Sequence, residues 1–93
     1  MINQLFLLGK IIGMPSKNVG ENELLIEVKR NYKNTEGIFE SDYFKCHLWI
    51  ALSKKISLGC KVGDLVAVKG RLIEDAGICN ILAEQIILLN KSN

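Results

Sequence analysis

Asp42-Tyr43-Phe44-Lys45-Cys46-His47-Leu48-Trp49-Ile50 changes character at nearly every step. A period of two is that of a β-strand, in which successive side chains leave opposite faces. One face then carries Phe44, Cys46, Leu48 and Ile50 and is expected to look into a core. The other carries Tyr43, Lys45, His47 and Trp49: a ring, a cation, an imidazole and a second ring. The segment before this strand, Lys33 to Ser41, is polar, contains Gly37 and reads as a long hairpin loop. Ahead of that loop, Leu24, Ile26 and Val28 alternate with Leu25, Glu27 and Lys29 as a half-buried partner strand. Residues 2–13 form an apolar run containing Gly9, and a glycine inside a strand marks a bend or a close backbone approach. Turns are expected at Met14-Pro15-Ser16 and across residues 18–23.

Downstream, Ala51 to Leu58 is the one helical stretch, with Leu52 and Ile56 spaced i, i+4 and Gly59 as a C-terminal stop. Lys61-Val62-Gly63-Asp64 makes a turn. Over Leu65–Ile73, Val66, Val68 and Leu72 face one way and Lys69 and Arg71 the other. Glu74-Asp75-Ala76-Gly77 connects tightly to a last strand, Ile78–Leu89. The expected fold is all-β: a five-stranded barrel with one short helix between strands three and four. That is the order of the OB (oligonucleotide/oligosaccharide-binding) barrel. The helix would plug one end, and strands two and three would form the ligand face. A chain of 93 residues suffices for one such domain, spanning 1–93, and not for two.

Composition narrows the classes. A hydrophobic content of 48% is too high for a disordered chain, yet the apolar runs are too short and too often broken by charges to cross a membrane. Met-Ile-Asn-Gln lacks the basic start and cleavage site of a signal peptide, so Met1 is expected to begin the mature chain. Cys46, Cys60 and Cys79 are odd in number and at no metal-ligand spacing. They are expected to be reduced, mostly buried thiols of a cytoplasmic protein. His47 is the only histidine. Cys46 is adjacent but points to the opposite strand face, so the two cannot act as nucleophile and base. Glu74-Asp75 is a solvated pair, ligands for a metal are not clustered, and Gly59, Gly63 and Gly70 punctuate separate turns or strands. No enzyme, cofactor or metal is expected.

With a net charge of only +2, the placement of the cations matters more than their number. Rings interleaved with cations suit unpaired nucleic acid bases, which stack on the rings while lysines meet the phosphates. The other reading of Tyr43 and Trp49 is an aromatic pair buried in a second interface. Lys29-Arg30-Asn31-Tyr32-Lys33 is the densest basic and aromatic cluster in the chain.

Several segments in order resemble the bacterial single-stranded DNA-binding protein family. Met-Ile-Asn-Gln-Leu-Phe-Leu-Leu-Gly-Lys (1–10) is similar to its opening, Pro15 falls at its Asp-Pro, and Glu-Val-Lys-Arg-Asn-Tyr (27–32) is similar to its second strand. Asp-Tyr-Phe-Lys-Cys-His-Leu-Trp (42–49) resembles the third, Lys61–Leu72 the fourth, and Ala83-Glu84 falls in the last. The resemblance implies base stacking on Tyr32, Tyr43 and Trp49, with Arg30 and Lys45 as basic partners. Lys29, Lys33, Lys69 and Arg71 add candidate phosphate contacts. The expected function is sequence-independent binding of single-stranded DNA in replication, recombination or repair, by a cytoplasmic, nucleoid-associated protein.

Two departures from the family carry expectations of their own. The connection between the last two strands lacks the family's long basic hairpin, which implies weaker binding per subunit and a shorter footprint. The ending Asn90-Lys91-Ser92-Asn93 lacks the family's glycine-rich linker and acidic tip, so recruitment of partners through such a tip is not expected. A short chain ending in Leu-Ala-Glu-Gln-Ile (82–86) also resembles primosomal replication protein N, which adds replication and primosome proteins to the expected partners. A protein-docking OB module is the alternative of a different class. Leu5–Leu8 and Ile86–Leu89 carry more apolar surface than a small barrel covers, which implies a homodimer or, as is usual in the family, a homotetramer.

Overall fold

A computed structural model describes residues 3–17 and 19–91. Expectations that fall on Met1, Ile2, Asn18, Ser92 and Asn93 lie outside the described residues. Strands β1 (Leu5–Gly13), β2 (Glu23–Lys33), β3 (Phe39–His47), β4 (Leu65–Asp75) and β5 (Ile78–Asn90) and the helix α1 (Ile50–Gly59) follow one another in the expected order. The strands close into a barrel in the order β1-β2-β3-β5-β4, and β4 pairs back onto β1. All pairings are antiparallel except the short β3–β5 contact, where Cys46 meets Ile81 and His47 meets Leu82. Strand order and helix position are those of the OB barrel.

Inward-facing residues build one core: Ile11, Leu24, Ile26, Cys46, Val66, Val68, Ile81, Ala83 and Ile86 from the strands. From the segment that closes the barrel come Leu48, Leu52 and Ile56. The helix has no side-chain N-cap, no acidic residue in its first turn and no basic one in its last. Its stability therefore comes from seating Leu52 and Ile56 in the barrel's end rather than from its termini. Ser53, buried on the same side, donates a 3.0 Å hydrogen bond to the Glu21 carbonyl and ties the helix to the β1–β2 connection. Gly9 is a close approach: a Cβ there would lie 2.6 Å from the Glu27 carbonyl oxygen and against Ile26.

Several boundaries differ from expectation. β3 ends at His47 instead of continuing to Ile50, because Leu48 already caps the core and the chain must turn into the helix. Ile50 consequently stands exposed as the first helical residue. The predicted loop from Lys33 to Ser41 is shorter: pairing continues to Lys33↔Phe39. Asn34 closes the remaining turn, its Oδ1 accepting from the amides of Glu36 and Ile38. β5 changes parity at Glu84, since Gly70 pairs with Ala83 but Lys69 with Gln85. One extra residue, a β-bulge, turns the inward set from Ile81 and Ala83 to Ile86 and Leu88.

Beyond Leu72 and Ile81, β4 and β5 leave the barrel as a two-stranded ribbon closed by Ala76 and Gly77, both at positive φ (51° and 80°). This is the two-residue hairpin geometry that suits twisted strands. Leu72, expected to face inward, stands at the base of this ribbon and is exposed. The thiols divide three ways rather than being mostly buried: Cys46 is buried, Cys60 half-buried, and Cys79 exposed on the ribbon. Burial pushes the Cys46 thiol up to about 11.

Candidate nucleic-acid interface

The outer face of β2 and β3 is set by register. Glu23 lies opposite His47, Leu25 opposite Lys45, Glu27 opposite Tyr43, and Lys29 opposite Ser41. Directly opposed residues share a face, so Tyr43, Lys45 and His47 stand in one outward column beside Glu27, Leu25 and Glu23. Trp49 follows two residues beyond the strand with extended backbone (φ −74°, ψ 159°). There it lines a groove of about 600 Å³ between α1 and β5, with Leu52, Lys55, Glu84, Ile86 and Leu88. Tyr43 is 64% exposed, Tyr32 61% and Trp49 56%. Large rings left open to this degree are available to a partner outside the chain.

The other site candidates are spread more widely. Between Lys29↔Ser41 and Lys33↔Phe39, four steps along β2 match two along β3. This irregularity means that the alternation over 24–29 does not decide where Tyr32 points. Arg30 shares the parity of the core residues but has passed the barrel's rim. It donates from Nε and Nη2 to Asp42 at 3.0 and 2.8 Å, and from Nη1 to Glu40 at 3.0 Å. Arg71 faces outward opposite Leu82, which is itself opposite His47, so it joins the β3 column across β5. Lys69 pairs with Phe6 and Gln85. The barrel therefore places Lys69 among the apolar residues of β1, β4 and β5 and not on the β2–β3 face.

Reading the sequence missed four residues of this face. Phe39, assigned to a loop, sits at the hairpin end with the Lys29 and Lys33 ammonium groups 5.7 and 5.6 Å from its ring centroid. Asn34 and Gly37 on one side of it were the available turn signal. Lys10, opposite Glu27 on β1, forms a 3.7 Å ion pair with it. Glu27 also accepts a 3.3 Å hydrogen bond from the Tyr43 hydroxyl. Glu23 holds Lys45 at 3.3 Å and lies 3.7 Å from His47 Nδ1. His47 Nε2 lies 3.3 Å from Asn80 Oδ1. The face is thus an alternation of rings and ion pairs, not a uniformly basic strip.

Arg30 holds the Asp42 carboxyl below the usual carboxylate range, chiefly by its hydrogen bonds, against some desolvation. A folded value below the unfolded one stabilises the fold fully above the ordinary aspartate range and is lost as pH falls through the folded value. Replacing Asp42 by Asn is therefore expected to open a small stability gap at pH 7 that closes below about pH 4. Urea midpoints measured between pH 7 and 2 check this. A gap independent of pH would show that the Arg30–Asp42 pair is not its source.

The chain matches the model of the Single-strand binding protein family over residues 2–76, from before β1 to the end of β4. It is 34% identical over 77 residues to Single-stranded DNA-binding protein B of Bacillus subtilis, covering 77% of this chain and 68% of that protein. It is 30% identical over 77 residues to Single-stranded DNA-binding protein 1 of Streptococcus pyogenes, covering 77% of this chain and 59% of that one. Among solved structures, a mitochondrial single-stranded DNA-binding protein of S. cerevisiae superposes with a TM-score of 0.72 at 12% identity, over 100% of this chain and 99% of that one. A small single-stranded DNA-binding protein of Streptomyces coelicolor gives 0.64 at 20% identity, over 95% and 94% of the two chains. At such identities these two likenesses establish the fold.

Proposed function

The chain belongs to the single-strand binding protein family, and from that premise we propose that its β2–β3 face binds single-stranded DNA without requiring a defined sequence. The observation that carries the reading is the outward column Tyr43, Lys45 and His47 on the face where OB barrels take their ligands, with Tyr43 and Lys45 exposed, His47 half-buried and the exposed Trp49 just beyond the strand. Tyr43 and Trp49 stack bases, Tyr32 and Phe39 extend the platform toward the hairpin end, and Lys29, Lys33, Lys45 and Arg71 meet phosphates. Arg30 contributes mainly by holding the hairpin through Asp42 and Glu40. Binding is the whole activity in this reading, without catalysis. Covering exposed strands serves replication, recombination or repair, where replication and primosome proteins are the partners encountered. The reading carries with it a cytoplasmic, nucleoid-associated location. No helix among the described residues is long and apolar enough to cross a membrane.

Trp49 is the only tryptophan, so its fluorescence reports on the face directly. Titration with oligo(dT) is expected to quench it, less so as salt rises, with little change on adding duplex. Affinity should fall with salt at a log–log slope of about −0.7 per phosphate contact. A folded protein with no quenching at low salt would leave the rings as a protein-docking surface.

We also propose that the chain forms at least a homodimer, with a homotetramer as the larger form. What supports this is the outer face of β1, β4 and β5, where Phe6 (71% exposed), Leu8 (63%), Leu65, Ile87 and Leu89 lie uncovered. The register sets Phe6 opposite Lys69 and Leu8 opposite Ala67, and Ala67 opposite Ile87. Phe6→Asp is expected to shift the mass measured by light scattering to that of the monomer while leaving the circular dichroism unchanged. An unchanged mass would place the contact elsewhere.

A further inference from the structure

The row Lys10–Glu27–Tyr43 puts a carboxylate beside the ring on which a base would stack. Its two neighbours leave most of its hydrogen-bonding capacity unused. The Tyr43 hydroxyl donates to Oε2 at 3.3 Å and the Lys10 ammonium stands 3.7 Å from Oε1, whereas an ionised carboxylate offers about four acceptor positions. Lys10 fixes the group from the β1 side and Tyr43 from the β3 side, and with the Glu27 side chain still 26% exposed, acceptor positions remain for a base stacked on the phenol ring. A base stacked there brings its Watson–Crick edge to the ring's rim, where unpaired bases are normally read.

A carboxylate only accepts. It is satisfied by the amino group of cytosine or adenine, and the carboxylate–cytosine N4 contact is an established readout. Thymine has a single N–H between two carbonyl oxygens on that edge, and those oxygens are repelled by the carboxylate. We infer that Glu27 is a specificity-determining residue. It biases an otherwise permissive face toward bases bearing an exocyclic amino group and against thymine. The inference rests on the single-strand reading above and deepens it. Glu23 does not share this role, because Lys45 and His47 flank it and its Oε2 is buried.

The test compares oligo(dC) and oligo(dT) of equal length at one salt concentration, on the wild-type chain, Glu27→Gln and Glu36→Gln. Glutamine both donates and accepts, so Glu27→Gln is expected to lower the dC:dT affinity ratio about fivefold. Glu36→Gln removes the same charge from an exposed side chain at the hairpin turn and is expected to strengthen both complexes slightly with the ratio unchanged. A second arm leaves the protein untouched: oligo(dC) whose cytosines lack the 4-amino group should lose affinity for the wild-type chain by about the same factor. Tight binding with the same ratio in wild type and Glu27→Gln overturns the inference alone. Binding of neither oligonucleotide removes the single-strand reading, and the inference with it.

Discussion

Tyr43→Ala is expected to weaken oligo(dT) binding about five- to 150-fold, the equivalent of roughly 1–3 kcal/mol for one lost base stack. The fold should barely notice. Tyr43 is largely exposed, its neighbours on β3 hold the core without it, and its one polar contact is a long hydrogen bond to Glu27. Affinity and stability therefore separate at this position. Tyr43→Phe makes the separation sharper, because it keeps the π-face and removes only the hydroxyl. Its affinity should stay within about threefold of wild type, since the stack rather than the hydroxyl carries the contact. Fluorescence anisotropy of a labelled oligonucleotide, with thermal melts of each variant, checks both. Undiminished binding by Tyr43→Ala would mean that bases do not stack on this ring. Trp49→Ala should also weaken binding, but Trp49 lines the groove between α1 and β5, so its loss should lower stability as well.

Gly70→Ala is expected to be the most damaging small change in the chain. Gly70 sits inside β4 where the ladder to β5 slips, opposite Ala83. A Cβ there would collide with the Leu82 carbonyl oxygen and stand 3.1 and 3.2 Å from the Leu82 carbonyl carbon and Ala83 Cα. All three atoms are backbone, so a side-chain rotation cannot relieve the clash, and the β4–β5 ladder must open at its bulge. A cost of about 2–4 kcal/mol follows for strain of this kind. In a domain this small that lowers Tm by roughly 10–25 °C. Gly59→Ala is the matched control. A Cβ at that last helical position meets nothing within 4 Å, and alanine is the better helix former. Its Tm should be unchanged or slightly raised. A Gly70→Ala protein melting with wild type would mean that the two strands are less tightly apposed than they stand here.

Which features could be read in advance follows from how local each one is. The alternation of Phe44, Cys46 and Leu48 against Tyr43, Lys45 and His47 is a property of neighbours in the chain. So is the i, i+4 pair Leu52 and Ile56. Strand order, helix position and the exposed rings were therefore legible, together with the family resemblance they carry. Phe39 was missed because its strand exists only by pairing with β2, across a stretch whose own composition is that of a loop.

Electrostatics on the face show the same limit. Arg30 and Lys45 read as basic partners of DNA in the sequence, and Lys10 carried no such reading. Glu40, Asp42, Glu23 and Glu27 meet them only after β1, β2 and β3 are laid side by side. Similarly, Lys69 and Arg71 are two residues apart, yet the bulge and the ring order send one to the apolar face and the other toward His47.

Periodicity and turn chemistry act over a few residues, so the elements, their order and the aromatic, cationic strand can be read along the chain. Which cations are already engaged, where parity flips at the bulge, and that a carboxylate stands beside the ring of Tyr43 emerge when the strands are paired. Those depend on register between strands, which is set by contacts distant in the chain.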